Sequence, residues 1–231
     1  MEQFNAVLAK CPLFININEN EYKILLTCTN SYIKDFQNYE YILFAGDKTS
    51  SLGVVLSGSI EIIEENLAGT RHIIDFLGPS DVFAESIVCT LEHISPITIR
   101  VKEDSKILFI PYERIIKTCS NSCIFHAQLI KNLITLLGEE NFSLNHKIAL
   151  LLIKGMREKL AVYLLNESKK QNSLSFQIIP NRNQLAEYLN VSRTSMCREL
   201  ARMKELGILD YYQNSFKILS LDALKECLKV N

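Results

Sequence analysis

Residues 181–216 read NRNQLAEYLNVSRTSMCRELARMKELGILDYYQNSF, and they carry the clearest structural signal in the chain. Asn181 followed three residues later by Gln184 has the pattern of a capping box, which predicts that a short helix begins there. Ser192 is a suitable cap for a second helix. Gly207 ends that helix, and the residues after it have the alternating pattern of a β-hairpin. The stretch therefore predicts a helix-turn-helix with a wing, a unit that places its second helix in the DNA major groove.

The second helix of this unit has one apolar face and one polar face. Met196, Leu200 and Met203 form the apolar stripe that would be buried. The polar face carries side chains suited to base edges and phosphates: Arg193, Thr194, Cys197, Arg198 and Arg202. Arginine donates two parallel hydrogen bonds to guanine O6 and N7, which is the commonest specific base contact. The alternative, a merely solvated helix face, is disfavoured because caps, stripe and hairpin all agree.

The segment QLAEYLNVSRTSMCRELARMKELGIL, residues 184–209, resembles the helix-turn-helix of the Crp/Fnr superfamily of bacterial transcription regulators. The resemblance implies an α+β chain with an N-terminal antiparallel β-barrel or jelly roll of the cyclic-nucleotide-binding type. A long dimerisation helix and a C-terminal winged helix-turn-helix would follow. It also implies that the chain regulates transcription on double-stranded DNA, with RNA polymerase as an expected partner. The sequence has no phosphate-binding P-loop, GxSxG or HExxH motif, so the chain is not expected to be an enzyme.

The same resemblance assigns roles to individual residues of the helix-turn-helix. Base-reading positions of the family fall on Arg193, Thr194 and Arg198. Phosphate-contacting positions fall on Arg182, Ser192 and Ser195. The best-known members carry glutamate where this chain has Thr194, and a threonine is better suited to touch a thymine methyl group. We therefore expect DNA binding with a base preference that differs from that of those members.

Composition and charge fit a DNA-binding protein of two modest domains. The chain has 231 residues, of which 48% are hydrophobic and 22% charged, as in globular proteins. Residues 147–231 hold 14 Lys and Arg against 8 Asp and Glu, a net charge of +6, whereas residues 1–146 carry −7. The positive charge thus coincides with the helix-turn-helix, where phosphates must be neutralised. No apolar run is long enough to span a membrane, so a cytoplasmic protein without a membrane partner is expected.

The N-terminal part of the sequence has the pattern of an antiparallel β domain. Residues 20–30 predict a short helix, and residues 31–105 alternate between short strands and turns. The apolar run from Leu52 to Leu56 predicts a strand that ends at Ser57-Gly58, and residues 59–64 predict the next one. Several short strands at close spacing predict a barrel or jelly roll.

The resemblance places an effector pocket in this β domain, but two motifs in it are altered. Members that bind cyclic AMP have a Gly-Glu-Leu turn, where this chain has Ala84-Glu85-Ser86. They also have an Arg-Ser pair, where this chain has Ser95-Pro96. Losing the arginine removes the cation that offsets a buried phosphate, and proline lacks a backbone donor. We therefore expect a small effector of unknown identity that is not cyclic AMP. Arg100 is expected on the next strand, facing solvent.

Apolar residues at Ile130, Leu133, Leu137 and Leu144 recur at helical spacing, which predicts a helix over residues 120–146. A helix of that length measures about 40 Å and needs a partner beyond one small domain. The resemblance implies that it pairs with its copy in a homodimer, so an inverted-repeat operator is expected. The expected domains are a sensor at residues 1–118, the dimerisation helix at 119–146 and the DNA-binding domain at 147–231.

The cysteines offer an alternative function. Seven cysteines without a framework spacing predict reduced thiols. Cys119, Cys123 and His126 are spaced at i, i+4 and i+7, so a metal, haem or redox sensor acting partly through a protein partner is the second hypothesis. An iron–sulfur cluster is not expected, because the Fnr branch uses a close-set cysteine group near the N-terminus. No cofactor is assigned from the sequence.

Overall fold

A computed structural model of the chain describes residues 2–65, 71–117 and 124–229. The chain divides into two compact units, Met1–Glu140 and Asn141–Asn231. The predicted α+β class is confirmed: an antiparallel sheet comes first, then a long helix, then a helix-turn-helix. In these described ranges no helix is both long and apolar enough to cross a lipid bilayer.

The N-terminal unit alternates short helices with strands before the long helix begins. Its elements are α1 (Asn5–Leu8), α2 (Glu19–Cys28), β1 (Tyr32–Phe36), β2 (Tyr41–Leu43), β3 (Ser51–Glu65), β4 (Arg71–Leu77), β5 (Val82–Phe83), α3 (Glu85–Val88), β6 (Thr98–Pro111), α4 (Tyr112–Ile116) and α5 (Ile124–Leu152), the last of which continues into the second unit. Short 3-10 helices lie at Glu2–Phe4 and Pro12–Phe14.

The antiparallel sheet of this unit has the order β1-β6-β3-β4, with β2 added to β6 and β5 added to β3. The hydrogen bonds between described strands do not close this sheet into the predicted barrel, and apolar side chains of its strands form one buried cluster. Ile60, Ile99, Val101 and Ile107 lie in that cluster and are fully buried. A second cluster packs α1, α2, α4 and the start of α5 against β3 and β6.

One strand prediction was wrong at Gly58. The sequence divided residues 52–64 into two strands, whereas β3 continues through this glycine from Ser51 to Glu65. Gly58 has φ of +82°, and a Cβ there would clash with Ser105 and the backbone of Asp104. A glycine in this conformation lets the strand bend with shifts in register instead of ending.

The long helix α5 has 29 residues and extends beyond His146, where the sequence placed its end, to Leu152. Residues 120–123, where the sequence placed its start, lie outside the described residues. The division between the two units falls within α5, after Glu140, whereas the sequence placed domain boundaries after residues 118 and 146.

The C-terminal unit contains a three-helix core beside a small sheet. Its further elements are α6 (Met156–Lys170), β7 (Ser175–Gln177), α7 (Arg182–Tyr188), α8 (Arg193–Glu205), β8 (Leu209–Tyr212), β9 (Ser215–Ile218) and α9 (Leu221–Glu226), followed by a 3-10 turn at Cys227–Lys229. The sheet order is β7-β9-β8, with antiparallel pairs. Strand β7 was not predicted, because it pairs with residues about 40 positions later in the chain.

Candidate DNA-binding surface and sensor site

The capping residues predicted from the sequence fix both helices of the helix-turn-helix. Asn181 Oδ1 accepts hydrogen bonds from the amides of Asn183 and Gln184 at 2.9 and 3.1 Å. Gln184 Oε1 accepts one from the Asn181 amide at 2.9 Å, which completes the capping box. Ser192 Oγ accepts one from the Ser195 amide at 3.1 Å and so caps α8. Both predicted helix starts are confirmed.

The buried side of α8 holds its outer side in place. Met196, Leu200 and Met203 are at most 1% exposed and pack in the core of the C-terminal unit. The opposite side projects from the unit: Arg193, Thr194, Ser195, Arg198 and Arg202 are exposed, Ser192 is exposed at the cap, and Cys197 is half-buried. The candidate DNA-binding residues of this helix therefore lie on one accessible polar face.

The three arginines of α8 differ in what they contact. Arg193 and Arg198 make no ion pair within the described part of the chain. Arg202 Nη1 lies 3.7 Å from Glu199 Oε2, and the other oxygen of that carboxylate accepts a hydrogen bond from Arg157 Nε at 2.5 Å. Glu199 thus links the start of α6 to α8 and partly neutralises Arg202. The pairing of Arg157 with Glu199 was not predicted from the sequence, because the two residues are 42 positions apart.

Arg182, one of the expected phosphate-contacting residues, is half-buried and contacts the wing. Its Nη2 donates a hydrogen bond to the Gln213 carbonyl at 2.7 Å. Its guanidinium carbon lies 5.1 Å from the ring centre of Tyr211 and 4.7 Å from that of Phe216. Burial lowers the pKa of Arg182. The side chain is therefore packed between α7 and the β8–β9 hairpin, which is the wing.

A groove of about 610 Å³ opens beside this arginine. It is lined by the start of α7, by Arg193 and by the wing tip, Tyr212 to Ser215. Tyr212 is 76% exposed, and Gln213 adopts φ of +49° in the turn. The wing was predicted as a hairpin, but its approach to Arg193 depends on tertiary packing and has no local sequence signal.

The altered turn of the sensor places a carboxylate in a buried position. Ala84 has φ of +62° and precedes α3, whose first residue is Glu85. Glu85 is buried, its Oε2 has no hydrogen-bond partner in the described part of the chain, and the neighbouring Ser86 is exposed. Burial and the nearby Glu85 carboxylate raise the pKa of Glu140 on α5. This turn therefore brings carboxyl groups together.

The second altered motif supplies no cation. Ser95 is buried, and its hydroxyl donates to the Ile97 carbonyl at 2.7 Å. Its amide donates to the Asp47 carbonyl at 2.9 Å, and its own carbonyl accepts from the Gly46 amide at 2.8 Å. Pro96 is exposed and has no amide hydrogen. The polar groups of Ser95 are therefore already engaged, by Ile97 and by the turn that holds Gly46 and Asp47.

Arg100 does not replace the missing cation. It lies on β6 beside Glu61 of β3, on the face opposite to buried Ile99 and Val101. Its guanidinium forms an ion pair with the buried Glu61 carboxylate and lies 5.5 Å from the ring centre of Tyr39. It is therefore on the predicted strand and outside the sheet interior, but it is paired rather than simply solvated.

The residues of the alternative sensor hypothesis are only partly described. Cys119 and Cys123 lie outside the described residues. His126 is buried, its Nε2 donates to the Ile115 carbonyl at 2.8 Å, and its Nδ1 lies 4.0 Å from Cys28 Sγ. Burial raises the pKa of the Cys11 thiol to about 12, which keeps it protonated and unreactive. Over residues 2–65, 71–117 and 124–229, no group of three Cys, His, Asp or Glu side chains is arranged for a metal.

Two family models match the chain, one in each part. The cyclic nucleotide-binding domain matches residues 33–122, and the Crp-like helix-turn-helix domain matches residues 158–227. The anaerobic regulatory protein of Pasteurella multocida is 24% identical over 84% of this chain and 70% of its own length. The transcriptional activator protein FnrA of Stutzerimonas stutzeri is 24% identical over 78% of this chain and 73% of its own. The Thermus thermophilus catabolite activator protein shares the fold, with a TM-score of 0.53, 22% identity and coverage of 94% and 98% of the two chains.

Proposed function

Because the chain belongs to the Crp/Fnr superfamily of transcription regulators, a family of DNA-binding proteins and not of enzymes, we propose that it binds an inverted-repeat operator as a homodimer. The exposed polar face of α8 is the observation that carries this proposal. Arg193 and Arg198 read guanine edges, and Thr194 contacts a thymine methyl group. Ser192 and Ser195 contact phosphates beside them. RNA polymerase is the proposed protein partner.

The dimer forms through α5, whose C-terminal part exposes apolar side chains. Leu144, Ile148 and Leu152 are spaced at i, i+4 and i+8 and are 60%, 55% and 75% exposed. Such a stripe on one helix face is typical of a surface that packs against a copy of itself. A two-fold axis along α5 would present two recognition helices to half-sites about 34–36 Å apart.

A salt titration tests the DNA-binding proposal. The affinity for a duplex of random sequence is expected to fall steeply as the salt concentration rises, because each phosphate contact releases counterions. Fluorescence anisotropy of a labelled duplex, at KCl concentrations from about 50 to about 300 mM, measures this fall in affinity. Binding that stays constant across the titration would contradict the proposal.

The sensor unit is proposed to bind a small effector other than cyclic AMP at the turn formed by Ala84, Glu85 and Ser86. A cyclic phosphate placed there would find the buried carboxyl group of Glu85 nearby and no compensating cation, because Ser95 and Pro96 supply neither a cation nor an available donor. Burying an unpaired charge costs several kcal/mol, on the order of the whole binding energy of a weak ligand.

Cyclic AMP is therefore expected to leave the melting temperature of the protein unchanged, since a ligand stabilises a fold only when it binds the folded state. Differential scanning fluorimetry with millimolar cyclic AMP measures this, with 5′-AMP as the control for non-specific nucleotide effects. A rise in melting temperature with cyclic AMP but not with 5′-AMP would show that the phosphate is accommodated after all.

A further inference from the structure

Arg182 joins the start of α7 to the wing. Among the described residues, it is the only one whose side chain makes such contacts with both wing strands and with the turn between them. Its Nη2 holds the Gln213 carbonyl at the turn, and its guanidinium lies over Tyr211 of β8 and Phe216 of β9. The two rings lie 5.8 Å apart between centres, so they form a small aromatic surface for the cation. Arginine is well suited to such a place, because its planar group stacks on rings while it donates in its own plane.

The contacts leave this cation poorly placed to bind phosphate. Arg182 Nη1 is buried and has no hydrogen-bond partner in the described part of the chain, and one of the two hydrogens of Nη2 is donated to the Gln213 carbonyl. Arg193, which is exposed, and Arg182, which is half-buried, line the same groove. A change of conformation that moved the guanidinium outward to a phosphate would give up its contacts with two aromatic rings and its bond to the wing carbonyl.

The position of the wing tip depends on contacts with neighbouring elements. Gln213 has φ of +49°, a conformation that non-glycine residues seldom adopt and that surrounding contacts must hold. The Asn214 carbonyl accepts a hydrogen bond from the Ile178 amide at 2.9 Å, which anchors the tip on the β7 side. The bond from Arg182 to the Gln213 carbonyl anchors it on the α7 side. Together they set where the tip lies along the groove that it shares with Arg193.

We propose that Arg182 is a positioning residue, which sets the wing against the recognition helix and does not itself bind a DNA phosphate. The proposal rests on the proposed function, because it presumes that α8 and the wing meet the same duplex. The wing tip residues Tyr212, Gln213, Asn214 and Ser215 carry no charge. A displaced tip would therefore cost hydrogen bonds and surface contact but no counterion release.

This absence of charge makes the two roles of Arg182 distinguishable by their salt dependence. Arg182→Lys keeps the positive charge but loses the planar stacking and the fork geometry, whereas Arg182→Gln loses the charge as well. If Arg182 is a positioning residue, both variants are expected to lose affinity for the operator to a similar extent, roughly tenfold. The slope of log affinity against log salt stays at the wild-type value in both. If Arg182 is instead a phosphate contact, Arg182→Lys should bind the operator with nearly wild-type affinity. The salt slope of Arg182→Gln should then be smaller by about one per protomer.

Hydroxyl-radical footprinting of the operator supplies the second measurement. We expect both Arg182 variants to lose protection where the wing meets the backbone and to keep protection around the major groove contacted by α8. A variant that is merely less folded would lose both protections in parallel, and stoichiometric titration reports its active fraction. Lys225→Gln, an exposed lysine on α9, is the matched control for loss of one charge. It should change neither affinity nor footprint.

Tyr211→Leu tests the same proposal without altering Arg182, should the arginine variants fold poorly. Removing one ring is expected to weaken operator binding less than Arg182→Lys does, again without changing the salt slope. Wild-type affinity in Arg182→Lys, or a reduced slope in Arg182→Gln, would overturn the positioning role. A wild-type protein that binds no duplex would instead contradict the proposed function, so the two failures are separate.

Discussion

Ile148→Asp is expected to convert the protein to a monomer and to weaken operator binding by about 10²–10⁴-fold, the usual gain from linking two binding units. Ile148 lies in the middle of the exposed stripe with Leu144 and Leu152. A carboxylate at the centre of a packed interface would be buried without a partner, which is costly. In the isolated chain the same side chain is 55% exposed, so the fold of the protomer should be little affected.

Light scattering coupled to size-exclusion chromatography gives the mass, and anisotropy on a full operator and on a half-site gives the two affinities. The full operator should lose affinity while the half-site keeps it, because each recognition helix is unchanged. Ile24→Asp is the matched control: Ile24 lies on α2 and is 56% exposed. Its variant should remain a dimer. A dimeric mass for Ile148→Asp at micromolar concentration would show that the subunits pair elsewhere.

The helix-turn-helix could be predicted closely because its determinants are local. Asn181 with Gln184, and Ser192 with Ser195, lie within three residues of each other, so their caps are visible in the sequence. The loss of a cation at Ser95-Pro96 could likewise be inferred, because the resemblance places the family's Arg-Ser pair at these two positions. The structure adds that the hydroxyl of Ser95 is used by its own turn.

Features that depend on distant parts of the chain could not be predicted in this way. Gly58 reads as a strand end, but β3 continues through it, and the close approach of Ser105 and the Asp104 backbone leaves no room for a side chain there. The role of Arg182 depends on Tyr211 and Phe216, about 30 residues later, and only the folded wing brings them together. Local patterns fix caps and periodicity, whereas a bulge or a stacked cation is decided by tertiary contacts.

Arg198→Ala is expected to weaken operator binding by about 1–3 kcal/mol per half-site, and so by roughly 2–6 kcal/mol for the dimer if the half-sites act independently. Arg198 is exposed on α8, one turn after Thr194, and it makes no ion pair within the described part of the chain. Its guanidinium is therefore available to a base edge. Losing a bidentate contact should relax the base preference at one position of each half-site.

Competition binding with single-base-pair variants of an operator selected from a random library measures both effects. Arg202→Ala is the control on the same helix, because Arg202 shares the Glu199 carboxylate with Arg157 and already has a protein partner. It should weaken all duplexes slightly and leave the base preference unchanged. An equal loss on operator and random DNA for Arg198→Ala would mean that this arginine contacts phosphate. Base reading would then be left to Arg193 and Thr194, whose short hydroxyl side chain discriminates among bases more weakly than an arginine fork.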